Sequence, residues 1–502
     1  MAHKHKKEKA SIFAMLEPKN LQKQIDEYGY SFSIGKYAAS ITAAVAGAIM
    51  CGIIFSLHWY YIAGIAIAGI FCLPSLILDG YKNMYEHKRF LDISDYMEQI
   101  LYSFKSTNKI LYALKDTQSL YETGGRMHGT IQRAVECIEN GKEGEGLYRS
   151  AFSIIEKEYP CKRLRSIHEY LNSVEENGGE NTVTIDLLLQ DKAVWADNII
   201  LLQEDKRAAR TRIILSIIVT VILALIFHAV YRSMPEEYSI VENMVTQAST
   251  TIFLIINILI FKKASKELSK SWIEREATDD VKISRYYNLV MEYDEEKERG
   301  KSLRLSAPFF IAAIPLLAFG KLYFALAVAV AGIVMLNQHK IGYRTAYDIV
   351  VREINQAFPG WLMEMALLLQ GNNVQVSIEK TVSHAPAVLK NDLETMVGKL
   401  RENPDSIDPY LEFLSMFKLS SIQSAMKMLY AISESGMGDA QTQITVLVQR
   451  NSKLLDKAEK LVNEKSLAGM NGIFYLPQAA VSVQTMANMV VFMLVFLGQM
   501  KL

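Results

Sequence analysis

Hydrophobic residues fall along this chain in two textures. Five runs are nearly free of charge: 37–78, 213–230, 248–261, 307–336 and 479–497. Between them, apolar residues recur at every third and fourth position among charged ones, while strand-like alternation is almost absent. The first texture predicts helices that cross a membrane, each needing about 20 apolar residues. The second predicts amphipathic helices packed into bundles. The fold class read from this pattern is all-α: a polytopic α-helical membrane protein with two cytoplasmic helical bundles.

The run 37–78 is too long for one span and suits two, with His58-Trp59-Tyr60-Tyr61 at the turn, where aromatic residues mark a membrane interface. Small residues four apart, Ala43/Gly47 and Ala48/Gly52, are expected to let the two helices approach. The run 307–336 breaks at Gly320-Lys321 and reads as a second hairpin. Basic residues flank the third and fourth runs on the sides away from the loop that joins them: Lys206, Arg207, Arg210 and Arg212 before, Lys262, Lys263 and Lys266 after. The acidic loop between them, Arg232 to Gln247, then lies outside, and the basic flanks lie in the cytoplasm. Seven spans follow, with the amino terminus inside and the carboxyl terminus outside; a count of eight would put the tail back inside. The divisions are a basic cytoplasmic segment 1–36, hairpin 37–79, bundle 80–210, span pair 211–262, charged connector 263–304, hairpin 305–337, bundle 338–470 and a final span 471–502.

That order repeats itself, and so does its wording. Glu176 to Gln190 reads ENGGENTVTIDLLLQ; Glu434 to Gln449, 258 residues on, reads ESGMGDAQTQITVLVQ. Earlier in each bundle, "YMEQILYSF…TNKILYALKDT" matches "WLMEMALLLQ…NNVQVSIEKT" as an amphipathic helix, a polar break and a second helix. Two phrases in the same order at similar offsets predict an internal duplication. The remaining helices are expected over Thr130–Asn140, Gly146–Lys157 and Leu164–Asn177 in the first copy. In the second they are expected over Pro386–Arg401, Pro409–Met416 and Ser420–Ser435.

In the repeated phrase, Gly178, Gly179, Gly436 and Gly438 sit where one helix closes and the next begins, since glycine tolerates the left-handed conformation of a helix end. Asn181/Thr182 and Asp439 suit the cap of the following helix. Glu176 and Glu434 stand in the last turn, where the helix dipole disfavours a carboxylate. Local energetics leaves them unexplained, so the phrase is either a helix joint alone or also a surface that docks a partner. After it, each copy runs as one helix towards a span.

The chain carries no net charge, 22% charged residues and four scattered cysteines, which gives no bulk field for nucleic acid and no disulfide or zinc framework. Phosphate-binding, zinc-protease and nucleophile-elbow motifs are absent, so neither an enzyme nor a cofactor is expected. Mid-span charges are missing, which weighs against an ion-coupled transporter. His228 reads as an interfacial residue. The methionines Met363, Met365, Met396, Met416, Met426 and Met428 read as core.

The stretches "FPGWLMEMALLLQGNNVQVSIEKT" and "AISESGMGDAQTQITVLVQ", placed before a final span, resemble the F-domain of type II secretion and type IV-like pilus systems, specifically its tight-adherence (Tad/Flp) branch. "SVEENGGENTVTIDLLLQ" resembles it more loosely, lacking the Phe-Pro-Gly-Trp opening. The chain resembles the archaellum platform in the same way. The resemblance implies a multi-pass inner-membrane platform protein with two F-domains fused. Such a protein would be a homo-oligomer in membrane lipid, bind a cytoplasmic hexameric secretion ATPase and add prepilin or pilin subunits to a growing fibre. A membrane-anchored scaffold or signalling protein is the alternative, and a transporter ranks behind it.

Overall fold

The computed structural model describes residues 17–141, 146–178, 182–273, 280–318, 322–369, 372–434 and 437–499. Among the described residues every regular element is helical. The first half comprises α1 (Pro18–Glu27), α2 (Ile34–Ile54), α3 (Trp59–Thr107), α4 (Ile110–Ser119), α5 (Arg126–Asn140), α6 (Leu147–Glu158), α7 (Lys162–Asn177), α8 (Thr182–Arg232) and α9 (Met244–Leu268). Then follow α10 (Asp280–Met291), α11 (Glu295–Ala318), α12 (Leu322–Leu336), α13 (Gln338–Leu368), α14 (Val374–Val382), α15 (Ala387–Glu402), α16 (Asp408–Glu412), α17 (Ser420–Glu434), α18 (Met437–Phe474) and α19 (Leu476–Gln499).

Most expected helices form within a few residues of their expected bounds. The stretch Pro409–Met416 does not. It ends at Glu412 and gives way to a 3₁₀ turn, Ser415–Phe417, flanked by Leu414 and Lys418 at φ +51° and +50°. A residue held left-handed cannot continue a right-handed helix.

Two helices are far longer than a span. α3 runs 49 residues and α8 runs 51, each joining an apolar segment to a bundle without interruption. At 1.5 Å per residue each is about 75 Å long, more than twice the hydrocarbon thickness of a bilayer. α3 ends where Asn108 turns left-handed at φ +52° and its N–H bonds back to the Phe104 carbonyl.

Among the described residues, six helices are long and apolar enough to cross a membrane: α2, α3, α8, α9, α11 and the stretch Leu467–Gln499 across α18 and α19. The seventh expected span, α12, has 15 residues, about 22 Å, and falls short of that length. The break expected at Gly320-Lys321 lies outside the described residues, between α11 and α12.

α2 and α3 pair as a hairpin. A methyl group on Gly52 would overlap the side chain of Ile62, so close approach does require glycine there. Gly47 faces open space, and the Ala43/Gly47 expectation is corrected for that residue. The hairpin packs on α9 around Ala48, Phe55, Ile65 and Phe253. Its turn is tied down by Gln247, whose Oε1 accepts from the His58 N–H at 3.2 Å, while the Tyr61 hydroxyl donates to the Met244 carbonyl. At the other end of α9, Ser269 donates to Asp79 at 2.8 Å, and the Ser271 hydroxyl and Trp272 N–H both donate to Glu86.

The helices of the segments 80–210 and 338–470 share one continuous apolar core. It runs from Tyr96, Ile100 and Phe104 through Phe152, Leu164 and Leu171 to Phe358, Trp361, Leu389 and Met426. Met363, Met365, Met396 and Met426 are buried in it and Met428 packs at its edge, whereas Met416 is 44% exposed.

Candidate coupling site

The repeated phrase is a helix joint in both places, but the two joints differ in detail. Gly178 follows α7 at φ +71° and ψ −175°, a conformation essentially confined to glycine, and its N–H closes the helix on the Val174 carbonyl at 2.8 Å. Gly179, Gly436 and Asn181 lie outside the described residues. Gly438 and Asp439 fall inside the first turn of α18, which begins at Met437, so neither closes α17 nor stands as the cap ahead of α18.

Glu176 is exposed and accepts from Asn172 Nδ2, one turn earlier in α7, at 2.8 Å. Glu434 is exposed at the end of α17. The carboxylate that works at the first joint is the neighbour, Glu175, whose side chain is 6% exposed. It accepts from the Ile110 N–H at 2.6 Å and the Tyr148 hydroxyl at 3.0 Å, with Lys109 Nζ at 3.6 Å. Glu175 thus binds the first N–H of α4, where a helix has unpaired donors and a positive end. Residue 433, at the same offset in the second copy, is a serine bonded within its own helix. Position 175 and its counterpart 433 therefore differ in role, while Glu176 and Glu434 are alike in being exposed.

A different set of residues joins the two halves. α8 and α18 lie side by side. Arg163, from α7, grips Asp191 with two nitrogens at 2.6 and 3.1 Å and reaches Glu459 on α18 at 2.9 Å. Its guanidinium also lies over the Trp195 ring, 5.7 Å from the centroid. Asn198 donates to Asp456 at 2.9 Å and accepts, through its carbonyl, from Asn463 at 3.4 Å. Further along, the Arg212 guanidinium donates to Asn471 and the Ser216 hydroxyl donates to the Phe474 carbonyl. A two-nitrogen grip on a carboxylate fixes direction as well as distance. The seam therefore holds α8 against α18 in one register.

Three contacts of that seam share nearly one spacing. Asn198 and Asp456 are 258 residues apart, as are Ser216 and Phe474, and Arg212 and Asn471 are 259 apart. This is the offset of the repeated phrase. Apart from Arg212, already marked as a basic flank, none of these residues stands out by type or motif in the chain; pairing positions at the repeat offset is the signal that would have picked them out.

Two further polar features lie within and between the bundles. His168 is stacked face to face on Phe152, with ring centroids 3.9 Å apart. Its Nδ1 lies 2.9 Å from Glu156 and its Nε2 lies 3.0 Å from the Tyr96 hydroxyl. Burial holds the imidazole below its ordinary pKa, so it is neutral, donating to Glu156 and accepting from Tyr96. Where α7 meets α13, Glu364 is half-buried near Glu169. Burial, and then the Glu169 charge, push the Glu364 carboxyl up to about 7. Glu169 is itself raised by burial and by Glu156, with His384, Arg165 and Arg149 opposing.

The described residues hold no group of three or more His, Cys, Asp or Glu side chains placed to bind a metal. The chain matches no protein-family model, no curated protein and no solved structure.

Proposed function

We propose that this chain is a multi-pass platform of a type IV-like (Tad/Flp) pilus or type II secretion-like machine, with two F-domain copies fused. In this reading the bundles are cytoplasmic, dock a hexameric secretion ATPase and pass its motion to helices that cross the inner membrane. Those helices then guide prepilin or pilin subunits into the fibre. The protein acts by mechanical coupling and needs no catalytic residue of its own.

The observation that carries the proposal is the α8–α18 pair. Each helix leads from a bundle towards an apolar stretch, α8 without a break and α18 through the turn at Tyr475 into α19. The two are joined by hydrogen bonds between residues 258 apart, Asn198 to Asp456 and Ser216 to the Phe474 carbonyl. Contacts at the repeat offset along two helices of the same direction are what a duplicated unit makes when its copies pair about a local two-fold axis. Long stiff helices transmit displacement, because a packed helix shifts as a body. The basic flanks of the spans support the cytoplasmic placement of both bundles.

The test is co-purification of the intact chain, in detergent, with the secretion ATPase encoded beside it. A stable complex that is lost when residues of the bundle surface are changed supports the platform. If the neighbouring genes include an ATPase and a prepilin, yet the intact chain never retains that ATPase with or without nucleotide, the docking reading is wrong.

A further inference from the structure

The apolar stretches of α3 and α9 end at one level. The runs 37–78 and 248–261 stop there, and the Ser269 hydroxyl donates to Asp79 at 2.8 Å across the two helices. Four lysines stand at that junction: Lys82 on α3, and Lys262, Lys263 and Lys266 on α9. Lys82 and Lys262 are half-buried, and Lys263 and Lys266 are exposed. Lys82, Lys266 and Lys262 all exert their field on the Asp79 carboxylate, so three ammonium groups gather around one acid.

None of the four is neutralised at close range. No ion pair among the described residues includes any of them. The acids near them are committed elsewhere. Asp79 accepts from Ser269, and its other oxygen is buried. Glu86 accepts from the Ser271 hydroxyl and the Trp272 N–H. Glu267 pairs with Lys270 at 2.7 Å. Like charges held this close raise a local positive potential, and an anion that enters it is attracted.

The surface leading up to the lysines is apolar. Along α9, Ile252, Ile256, Leu259, Lys263 and Lys266 are four and three residues apart in turn, so they share one face of the helix. All five are exposed. On α3, the exposed Ile67 and Phe71 precede Lys82 along one side in the same way. Each helix thus presents an oily length that ends in ammonium groups. A soluble anion would use only the charged end. A phospholipid uses both, with acyl chains along the apolar length and phosphate among the lysines. The lysine stem is long enough to lie on apolar surface while its charge reaches the headgroup layer, and basic pockets at the cytoplasmic ends of spans are where anionic headgroups bind.

We propose that Lys82, Lys262, Lys263 and Lys266 form a cradle for the headgroup of an anionic phospholipid of the cytoplasmic leaflet, whose acyl chains lie along α3 and α9. This rests on the membrane-spanning reading above. The headgroup is anionic because a zwitterionic one brings its own cation and leaves the four ammonium groups uncompensated. The source is lipid because the apolar strip runs on directly from the lysines. A lipid held across α3 and α9 bridges the first hairpin to the helix on which it sits.

The test uses the full-length chain purified in detergent. Phosphatidylglycerol, phosphatidylcholine or inorganic phosphate is added, and native mass spectrometry reads the bound lipid. The parent is expected to hold phosphatidylglycerol about tenfold more tightly than phosphatidylcholine. Lys82→Gln, Lys262→Gln, Lys263→Gln and Lys266→Gln together are expected to remove that preference and leave phosphatidylcholine binding unchanged. Glutamine at Lys390, Lys427, Lys453 and Lys457, exposed lysines far along the chain, removes the same total charge and is expected to change neither lipid. Lys263→Gln with Lys266→Gln alters only exposed side chains, so it tests the cradle even where the fourfold variant fails to fold. Its expected loss is about tenfold, and arginine at the same two positions is expected to keep the binding. The proposal is overturned if the parent shows no preference for phosphatidylglycerol, or if the cradle and control sets weaken binding equally. It is also overturned if inorganic phosphate at the same concentration displaces the lipid, which marks a site for a free anion. If alkaline carbonate extracts the chain from native membranes, the membrane-spanning reading fails first and the lipid site falls with it.

Discussion

At the scale of single residues, Glu364 has the most direct consequence. It occurs in the Leu362-Met363-Glu364 phrase that marks the repeat, but the partner that perturbs it, Glu169, belongs to the other half. An unfolded glutamate titrates near 4.5, whereas in the folded chain this one is pushed up to about 7 by burial and by Glu169. Between those values the folded chain holds a proton that the unfolded chain has released. Stability therefore falls as pH rises towards 7, and the full penalty is present above it. Glu364→Gln keeps the uncharged shape and is expected to raise the thermal midpoint at pH 8. The gain should shrink with falling pH and vanish by about pH 4, where both states are protonated. A change independent of pH in a melting series from pH 4 to 8 would show that the burial of Glu364 has been misjudged. Glu175 teaches the complementary lesson. Its neighbour Glu176 attracted notice because a repeat drew the eye to it, whereas the buried capping role fell to Glu175, one helical step of about 100° away.

At the scale of elements, the helices were legible because apolar periodicity and helix-ending residues agree along most of the chain. Continuity was less so. The end of the apolar run near Leu78 suggests a boundary, yet α3 passes through it to Thr107, because Asp79 and Glu86 find partners on Ser269, Ser271 and Trp272. The α7–α8–α18 seam was not legible, since its charges are ordinary surface residues until the second half covers them. Arg163 is 18% exposed on its side chain, and Asp191 is 7% exposed. Removing one member of such a set strands the others. Arg163→Met is expected to destabilise the chain by about 3 kcal/mol, at the low end for a broken buried pair because some exposure remains. Combining it with Asp191→Leu and Glu459→Met should recover most of that loss. Denaturant or thermal unfolding in detergent measures both. An Arg163→Met variant that unfolds like the parent would remove the seam's electrostatic role.

At the scale of the whole molecule, the seam joins residues 258 apart, the offset of the repeated phrase. The proposed topology places both bundles on one side, with the loop around Glu236 and Glu237 on the other. A periplasm-specific reporter inserted after Lys390, between helical turns of α15, is expected to be silent, and the same reporter after Glu237 is expected to be active. Activity at Lys390 would put the second bundle outside and reject the second hairpin as a double crossing. α12 makes this a sharp test, because at 15 residues it is the shortest of the apolar helices and depends on tilt, bilayer thinning or a neighbour to cross.

The sequence by itself determined the helical class and the apolar segments, because these follow from local periodicity and from hydrophobicity summed over short windows. Only the tertiary structure decided that α8 and α18 pair in register, that Glu364 lies near Glu169, and that the first hairpin is seated on α9. Those outcomes depend on surfaces far apart in the chain. Burial and electrostatic energy depend on what lies opposite a residue, and residues 258 positions apart are adjacent only once the two halves have packed.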